Sequence, residues 1–361
     1  MTDKPSVTLF GPGVGESICV GFGNGEWMIV DSCLNPVTRR PAALEFLEEK
    51  GVDPSRAVVL VVVSHWHDDH IRGISEVLQA CNRAKLAIPA AMTDTEFTEL
   101  TSAYAHQAPP SDNTSSGVSE MYEALRIAKV RMKLAKSGAI PAPLCTTLEN
   151  MQIHVTTGVK VVSLSPSSAA NIEAITEFKS QFEKGKRRGR VVPRPTSNLC
   201  ATALHVQFQN TSVLLGSDLE TSPNRLIGWS AVIQSPNRPT GKASLVKIPH
   251  HGSETGHHQS FWTELATTSP LGILTTYSRG VSKLPKSTDI ARLKDYVDAV
   301  FCTTDPQSLK PARKDTVVEK MIKSSVKNRK LAYNPQLGRI TATLNAQDEW
   351  EVECNEQASA L

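Results

Sequence analysis

Apolar residues run without interruption from residue 57 to residue 63, where a strand with one face in water would alternate. Such a run, rich in β-branched side chains and bounded by polar residues, predicts a strand buried on both faces. It stops at Ser64-His65-Trp66-His67-Asp68-Asp69-His70, after which Ile71, Ile74, Val77, Leu78 and Cys81 recur at helical spacing. The order is therefore strand, polar loop, helix. Upstream, residues 7–10, 18–22 and 27–30 read as strands, the last two joined by the turn Gly23-Asn24-Gly25. Residues 41–50 read as a helix closed by Gly51.

Downstream, residues 85–92 predict another strand. Two helical patterns, 94–107 and 118–136, flank a Pro-, Ser-, Gly- and Asn-rich segment. Residues 159–164 predict a strand that leads through Ser165-Pro166-Ser167-Ser168 into a helix over 169–183. Residues 199–208 and 212–215 form a hairpin pattern around Gln209-Asn210. Short strands follow at 245–248 and 271–276, helices at 287–298 and 313–328, and a closing hairpin at 339–344 and 350–354. The alternation predicts an α/β fold with mixed sheets covered by helices. The expected organisation is a single domain over 1–361, with 93–150 as a helical insertion. That insertion would serve as a lid, a substrate arm or a contact for a protein partner or a second copy.

Composition narrows the class. Hydrophobic residues make up 40% and charged residues 21% of the 361-residue chain, which excludes a disordered or fibrous protein. No apolar stretch approaches the roughly 20 residues needed to span a bilayer, and the N-terminus lacks a secretory core. The seven cysteines are scattered singly with no C-x-x-C pair, which predicts reduced thiols and a cytoplasmic location. The net charge of +3 is small, but the basic residues cluster. One group is Lys184, Lys186, Arg187, Arg188, Arg190 and Arg194. A second is Arg126, Lys129, Arg131, Lys133 and Lys136, and a third runs from Lys310 to Lys330. Clusters of this kind suit a phosphate-backbone ligand, or are simply solvated faces.

Candidate chemistry sits at strand ends. His65, His67, Asp69 and His70 follow the first apolar run, Asp218 follows 212–215, and His250 and His251 follow 245–248. Imidazole with carboxylate suits zinc, manganese or iron, and strand ends can gather such ligands on one sheet edge. Asp31, at the end of 27–30, is placed to support a ligand histidine from behind. His205 lies within a predicted strand and reads as a packed residue.

The spacing H-x-H-x-D-H over 65–70 resembles the metal motif of the metallo-β-lactamase superfamily. Gly13–Ile18, Ile29–Ser32, Leu214–Glu220 and Val246–Ser253 are further similar to the soluble hydrolase domain of the DNA-uptake protein ComEC. The resemblance implies an αββα sandwich of two mixed sheets and two divalent ions, zinc or manganese. It gives His65 and His67 to the first metal, Asp69 and His70 to the second, Asp218 as a bridge and His251 or His250 as the last ligand. The implied catalytic residues are Asp69, His70 and Asp218. Asn198 stands where many members have a further histidine, which leaves the first metal short of a protein ligand and weakly held. Leu284 stands where that branch often has a histidine, for which His257, His258 or Arg279 would substitute.

The expected reaction is metal-dependent phosphodiester hydrolysis of DNA, with Asn198, Lys186, Arg187, Arg188 and Ser253 as candidate substrate contacts and no membrane partner. The alternatives are hydrolysis of a small ester, lactone, thioester or cyclic nucleotide, or a metal-stabilised effector subunit in defence or DNA processing.

Overall fold

The computed structural model describes residues 4–107, 117–138, 143–189, 198–279, 282–306, 336–355 and 357–361. The strands of the first half are β1 (Ser6–Gly11), β2 (Ser17–Gly21), β3 (Trp27–Val30), β4 (Val58–Val62), β5 (Lys85–Pro89), β6 (Leu144–Thr147), β7 (Met151–Thr156) and β8 (Val159–Ser163). There follow β9 (Leu204–Gln207), β10 (Ser212–Leu215), β11 (Ala243–Lys247), β12 (Ala266–Leu274), β13 (Tyr277–Arg279), β14 (Ser282–Leu284), β15 (Ala299–Cys302), β16 (Gly338–Leu344), β17 (Trp350–Cys354) and β18 (Ser359–Ala360). The helices are α1 (Ala42–Glu49), α2 (Pro54–Ala57), α3 (Asp68–Ile71), α4 (Ile74–Ala80), α5 (Thr95–Gln107), α6 (Gly117–Lys136), α7 (Ser168–Arg187), α8 (Gly228–Gln234), α9 (Gln259–Glu264) and α10 (Ser287–Leu293).

Among the described residues the strands form two large sheets, ordered β17-β16-β1-β2-β3-β4-β5-β6 and β18-β15-β12-β11-β10-β9-β8-β7, with β13–β14 as a separate hairpin. Both sheets are mixed. β3 to β6 are mutually parallel, as are β10, β11, β12 and β15, while their other neighbours pair antiparallel. Between the sheets pack Leu9, Val20, Met28, Leu60 and Val62 from one side and Val161, Leu204, Val213, Leu245 and Ile273 from the other. The outer face of the first sheet is covered by α1, α4, α5, α6 and α7, and that of the second by α8, α9 and α10. This is the αββα sandwich.

The uninterrupted apolar run follows from these layers. Leu60 and Val62 of β4 point into the inter-sheet core, whereas Val58, Val61 and Val63 point to the helices. Both pleat faces are therefore dry, and each buried Val or Leu contributes about 1.5–3 kcal/mol.

Several boundaries differ from the sequence expectations. The stretch 93–150 is not wholly helical, because β6 lies within it and pairs with β5. Its helices α5 and α6 bury Phe97, Leu100, Met121 and Ala124 in the core that also holds Trp66. α7 continues to Arg187, so Lys184, Lys186 and Arg187 lie on its last turn and not in a loop. Their charges there complement the helix C-terminus. Arg131 is buried and donates to the carbonyls of Leu78 and Ala84, which removes it from any exposed basic face. The strand expected over 199–208 is confined to β9, residues 85–92 end as a strand at Pro89, and the helix expected over 287–298 ends at Leu293. Residues 190–194, the third basic group over 310–330 and the helix expected at 313–328 lie outside the described residues.

Candidate metal centre

The C-terminal ends of β3, β4, β10, β11 and β12 meet at one edge of the sandwich, where open α/β sheets present their ligand sites. From β4 the chain enters the motif loop. Trp66 anchors it from the helical side, its ring centroid 5.8 Å from Phe97 and 6.1 Å from Phe178. A one-turn helix carries Asp69 and His70, and Gly73, at φ 82°, turns the chain into α4. A Cβ at Gly73 would lie 2.7 Å from Leu34.

Asp69, His70, Asp218 and His251 place their ligand atoms within 4.8 Å of one another. His70 Nε2 lies 3.7 Å from Asp69 Oδ2 and 3.4 Å from Asp218 Oδ2, and His251 Nε2 lies 3.5 and 3.6 Å from the same two oxygens. These separations are long for hydrogen bonds. Accordingly His65 Nε2, His70 Nε2, His251 Nε2 and Asp218 Oδ1 are buried with no hydrogen-bond partner. Buried imidazole nitrogens without hydrogen-bond partners, facing the carboxylates of Asp69 and Asp218, are what a cation would satisfy, and the carboxylate–imidazole set fits zinc or manganese. His65 and His67 stand beside this cluster, with the His65 ring 4.6 Å from His67 and 4.2 Å from His70.

His70, His65 and His251 are held from behind. His70 Nδ1 meets Asp31 Oδ2 at 2.8 Å, and Asp31 also accepts from Ser64 N at 2.7 Å and Ser64 Oγ at 2.6 Å. Ser64 Oγ lies 3.0 Å from His65 Nδ1, so one carboxylate orients two histidines. His251 Nδ1 lies 3.0 Å from Thr275 Oγ1, which donates to Glu16 Oε2 at 2.6 Å. Glu16 Oε1 pairs with Lys247 Nζ at 2.6 Å, and that ammonium donates to the Ser217 carbonyl at 3.0 Å and lies 3.9 Å from Asp218 Oδ1. Lys247 and Glu16 are fully buried. Asp31, Ser217, His250 and His251 all have positive φ, which places costly backbone at the site.

The electrostatics follow from burial and proximity. Burial pushes Asp31 up, although His70 and Ser64 oppose it. Burial, with neighbouring His70 and His67, holds His65 well below the usual imidazole range, which keeps its nitrogen free to ligate. For Asp218, burial would raise the carboxyl, but His251 and His70 hold it well down. The converse holds for His251: burial lowers it, Asp218 and Asp69 prevail, and it rises to about 9.

The two adjacent histidines of 250–251 diverge. His251 enters the cluster, whereas His250 Nδ1 lies 3.1 Å from Glu220 and 2.9 Å from Thr255 Oγ1. Ser253 Oγ bonds His250, Thr255 and the Gly256 amide, so it is engaged within its own turn. Asn198 Oδ1 is buried without a hydrogen-bond partner, and Thr202 just beyond it donates its amide to the Ser64 carbonyl at 3.0 Å. Lys186 pairs with Glu183 at 3.3 Å, while Arg187 and Arg188 are exposed at the end of α7. His257 accepts from Trp262, and His258 caps α9. His205 donates to or accepts no ligand atom of the cluster; its Nε2 meets the Gly241 carbonyl at 2.8 Å.

Thr275 and Tyr277 carry no ligand-type signal in the sequence, and Glu16 and Lys247 lie within the stretches 13–18 and 246–253, where the resemblance gave neither a role. A lysine at the end of the apolar stretch 243–248 was the available hint for Lys247.

The family model described as the metallo-beta-lactamase superfamily matches residues 10–269. Comparison with curated proteins finds no match. Similar solved structures include a metallo-β-lactamase from Cronobacter sakazakii with the HARLDQ motif, at 14% identity over 64% of this chain and 68% of that chain, TM-score 0.32. MEM-A1, a subclass B3 metallo-β-lactamase isolated from a soil metagenome library, has 11% identity over 73% and 84%, TM-score 0.35. The hydrolase AbOPH, in the β-lactamase superfamily, has 15% identity over 56% and 55%, TM-score 0.28. These likenesses are too distant to bear on activity. The superfamily typically binds two divalent metals, often zinc, and the donor set described above fits that chemistry. By the match over most of its length, the chain belongs to the metallo-β-lactamase superfamily of metal-dependent hydrolases.

Proposed function

We propose that this chain hydrolyses phosphodiester bonds, with DNA as its substrate. The observation that carries the reading is the buried, mixed carboxylate–imidazole donor set, in which Asp69 and Asp218 interleave with His70 and His251 beside the His65–His67 pair. When bound, two divalent ions supply a water of lowered pKa and neutralise charge on the phosphoryl oxygens. The side chain of Asp69 is 11% exposed, against 5% or less for the other three donors. It is thus the donor most open to an entering water, which it would orient. Asp31 and Ser64 hold His70 and His65 in the tautomers that present Nε2 inward. Thr275 does the same for His251.

The choice of DNA rests on the similarity of 246–253 to the ComEC hydrolase domain and on the exposed cations Lys184, Lys186, Arg187 and Arg188. A phosphate backbone crossing that helix end would bind in a salt-dependent way. The test couples metal analysis of the purified protein to cleavage of single-stranded DNA, duplex DNA, RNA and bis(p-nitrophenyl) phosphate, with zinc and manganese compared. Asp69→Ala is expected to abolish cleavage. Cleavage that survives both that substitution and chelation would refute the proposal. Replacing Lys186, Arg187 and Arg188 by alanine is expected to cripple polynucleotide cleavage and spare the small diester.

A further inference from the structure

The hairpin β13–β14 reaches the centre through Tyr277 and Arg279, and we propose that these two residues bind the anionic oxygens of the substrate phosphodiester. This inference rests on the phosphodiesterase reading. Tyr277 and Arg279 are two residues apart on one strand, so their side chains leave the same face of β13. The Tyr277 ring lies 5.3 Å from the His251 ring at an interplanar angle of 33°. Arg279 Nη1 lies 3.8 Å from Asp68 Oδ2, next in the chain to Asp69. The pair therefore spans the centre from the His251 side to the motif loop. Along the strand edge, the Ser278 amide donates to the Gly13 carbonyl at 2.9 Å, and β14 pairs with Tyr277, Ser278 and Arg279 in register. These bonds fix the strand against the loop that also carries Glu16.

Arg279 is held loosely enough to change partner. Its side chain is 59% exposed, and the contact to Asp68 is long. Asp68 does not depend on it, because Arg72 Nη2 lies 3.2 Å from the same carboxylate and the Gly117 amide donates to Oδ1 at 2.7 Å. An exposed pair of this kind contributes little to stability. A guanidinium fork matches two phosphate oxygens better than it matches one shared carboxylate oxygen. Tyr277 is half-buried beside it; burial and the Asp69 carboxylate push its phenol up, and the neighbouring Arg279 opposes them. A phenol so placed donates to a phosphoryl oxygen lying between the guanidinium and the centre. A neutral ester gains nothing from Arg279, so the pair selects anionic substrates.

The experiment compares wild type, Arg279→Ala, Arg279→Lys and Tyr277→Phe in steady-state hydrolysis of bis(p-nitrophenyl) phosphate, with metal content and melting temperature measured on each. A charge-assisted hydrogen bond predicts a loss in kcat/KM of about ten- to a hundredfold for Arg279→Ala. The loss should be carried by KM, partly restored by lysine, and smaller for Tyr277→Phe, with metal content and melting temperature unchanged. Values for Arg279→Ala within twofold of wild type would overturn the inference and leave the phosphodiesterase reading standing. A fall in kcat accompanied by metal loss would also overturn it, assigning Arg279 to support of the motif loop. A wild-type protein that turns over neither this diester nor DNA would instead remove the reading on which the inference rests.

Discussion

Replacing Lys247 by methionine removes the cation that faces Glu16 at 2.6 Å, in a place where the lysine is 0% and the glutamate 1% exposed. Methionine keeps most of the apolar stem, so packing against the β11 neighbours is conserved. What changes is charge. Glu16 retains its bond from Thr275 but loses its counter-ion, and the Ser217 carbonyl loses its donor. Breaking a buried pair by removing one partner costs about 3–5 kcal/mol, a large share of the roughly 5–15 kcal/mol that holds a domain together. With about 2.1 cal/mol/K of unfolding entropy per residue over 361 residues, the melting temperature should fall by about 4–7 °C. The assay is denaturant and thermal unfolding in EDTA, which keeps metal binding out of the comparison. Glu16→Gln combined with Lys247→Met removes the stranded charge and should recover part of the loss. A single-variant cost below about 1 kcal/mol, or a double variant no better than the single, would refute the reasoning.

Two further predictions concern the centre. His251→Ala should lower the metal stoichiometry and abolish hydrolysis, whereas His250→Ala, which breaks contacts to Glu220 and Thr255, should leave both near wild type; metal analysis by mass spectrometry decides. The second concerns pH. In the metal-free protein the folded-state pKa of His251 is raised to about 9 by Asp218 and Asp69 against the opposing effect of burial, and His70 is also raised. A group raised on folding stabilises fully below its unfolded value of about 6.5 and loses that contribution as pH climbs through the folded value. Unfolding in EDTA should therefore show stability declining between pH 6.5 and 9, and a flat or rising profile over that window would contradict the assignment.

Much of the architecture could be read in advance because its causes are local. The unbroken apolar run of β4 reports two dry faces, short apolar runs and the Gly23-Asn24-Gly25 turn mark β2 and β3, and alternation marks β16 of the closing hairpin. Local pattern misleads where tertiary contacts override it. β6 is short and half-buried, and it becomes a strand because β5 offers it an edge. The charged end of α7 stays helical to Arg187 through Gly185, which is buried there, and the helix ends before Gly189, whose φ is 67°.

At the centre the same division holds. The chain alone determined that His65, His67, Asp69 and His70 share one loop at a strand end, and that Asp218, His250 and His251 end other strands, since each is a matter of a few neighbouring residues. Only the tertiary structure decided which of two adjacent histidines turns inward. It also joined Glu16 to Thr275 across 259 residues and placed Lys247 between Glu16 and Asp218. Those contacts depend on the order in which β3, β4, β10, β11 and β12 are stacked in two sheets. Sheet order brings together residues far apart in sequence, and no local period or spacing encodes it.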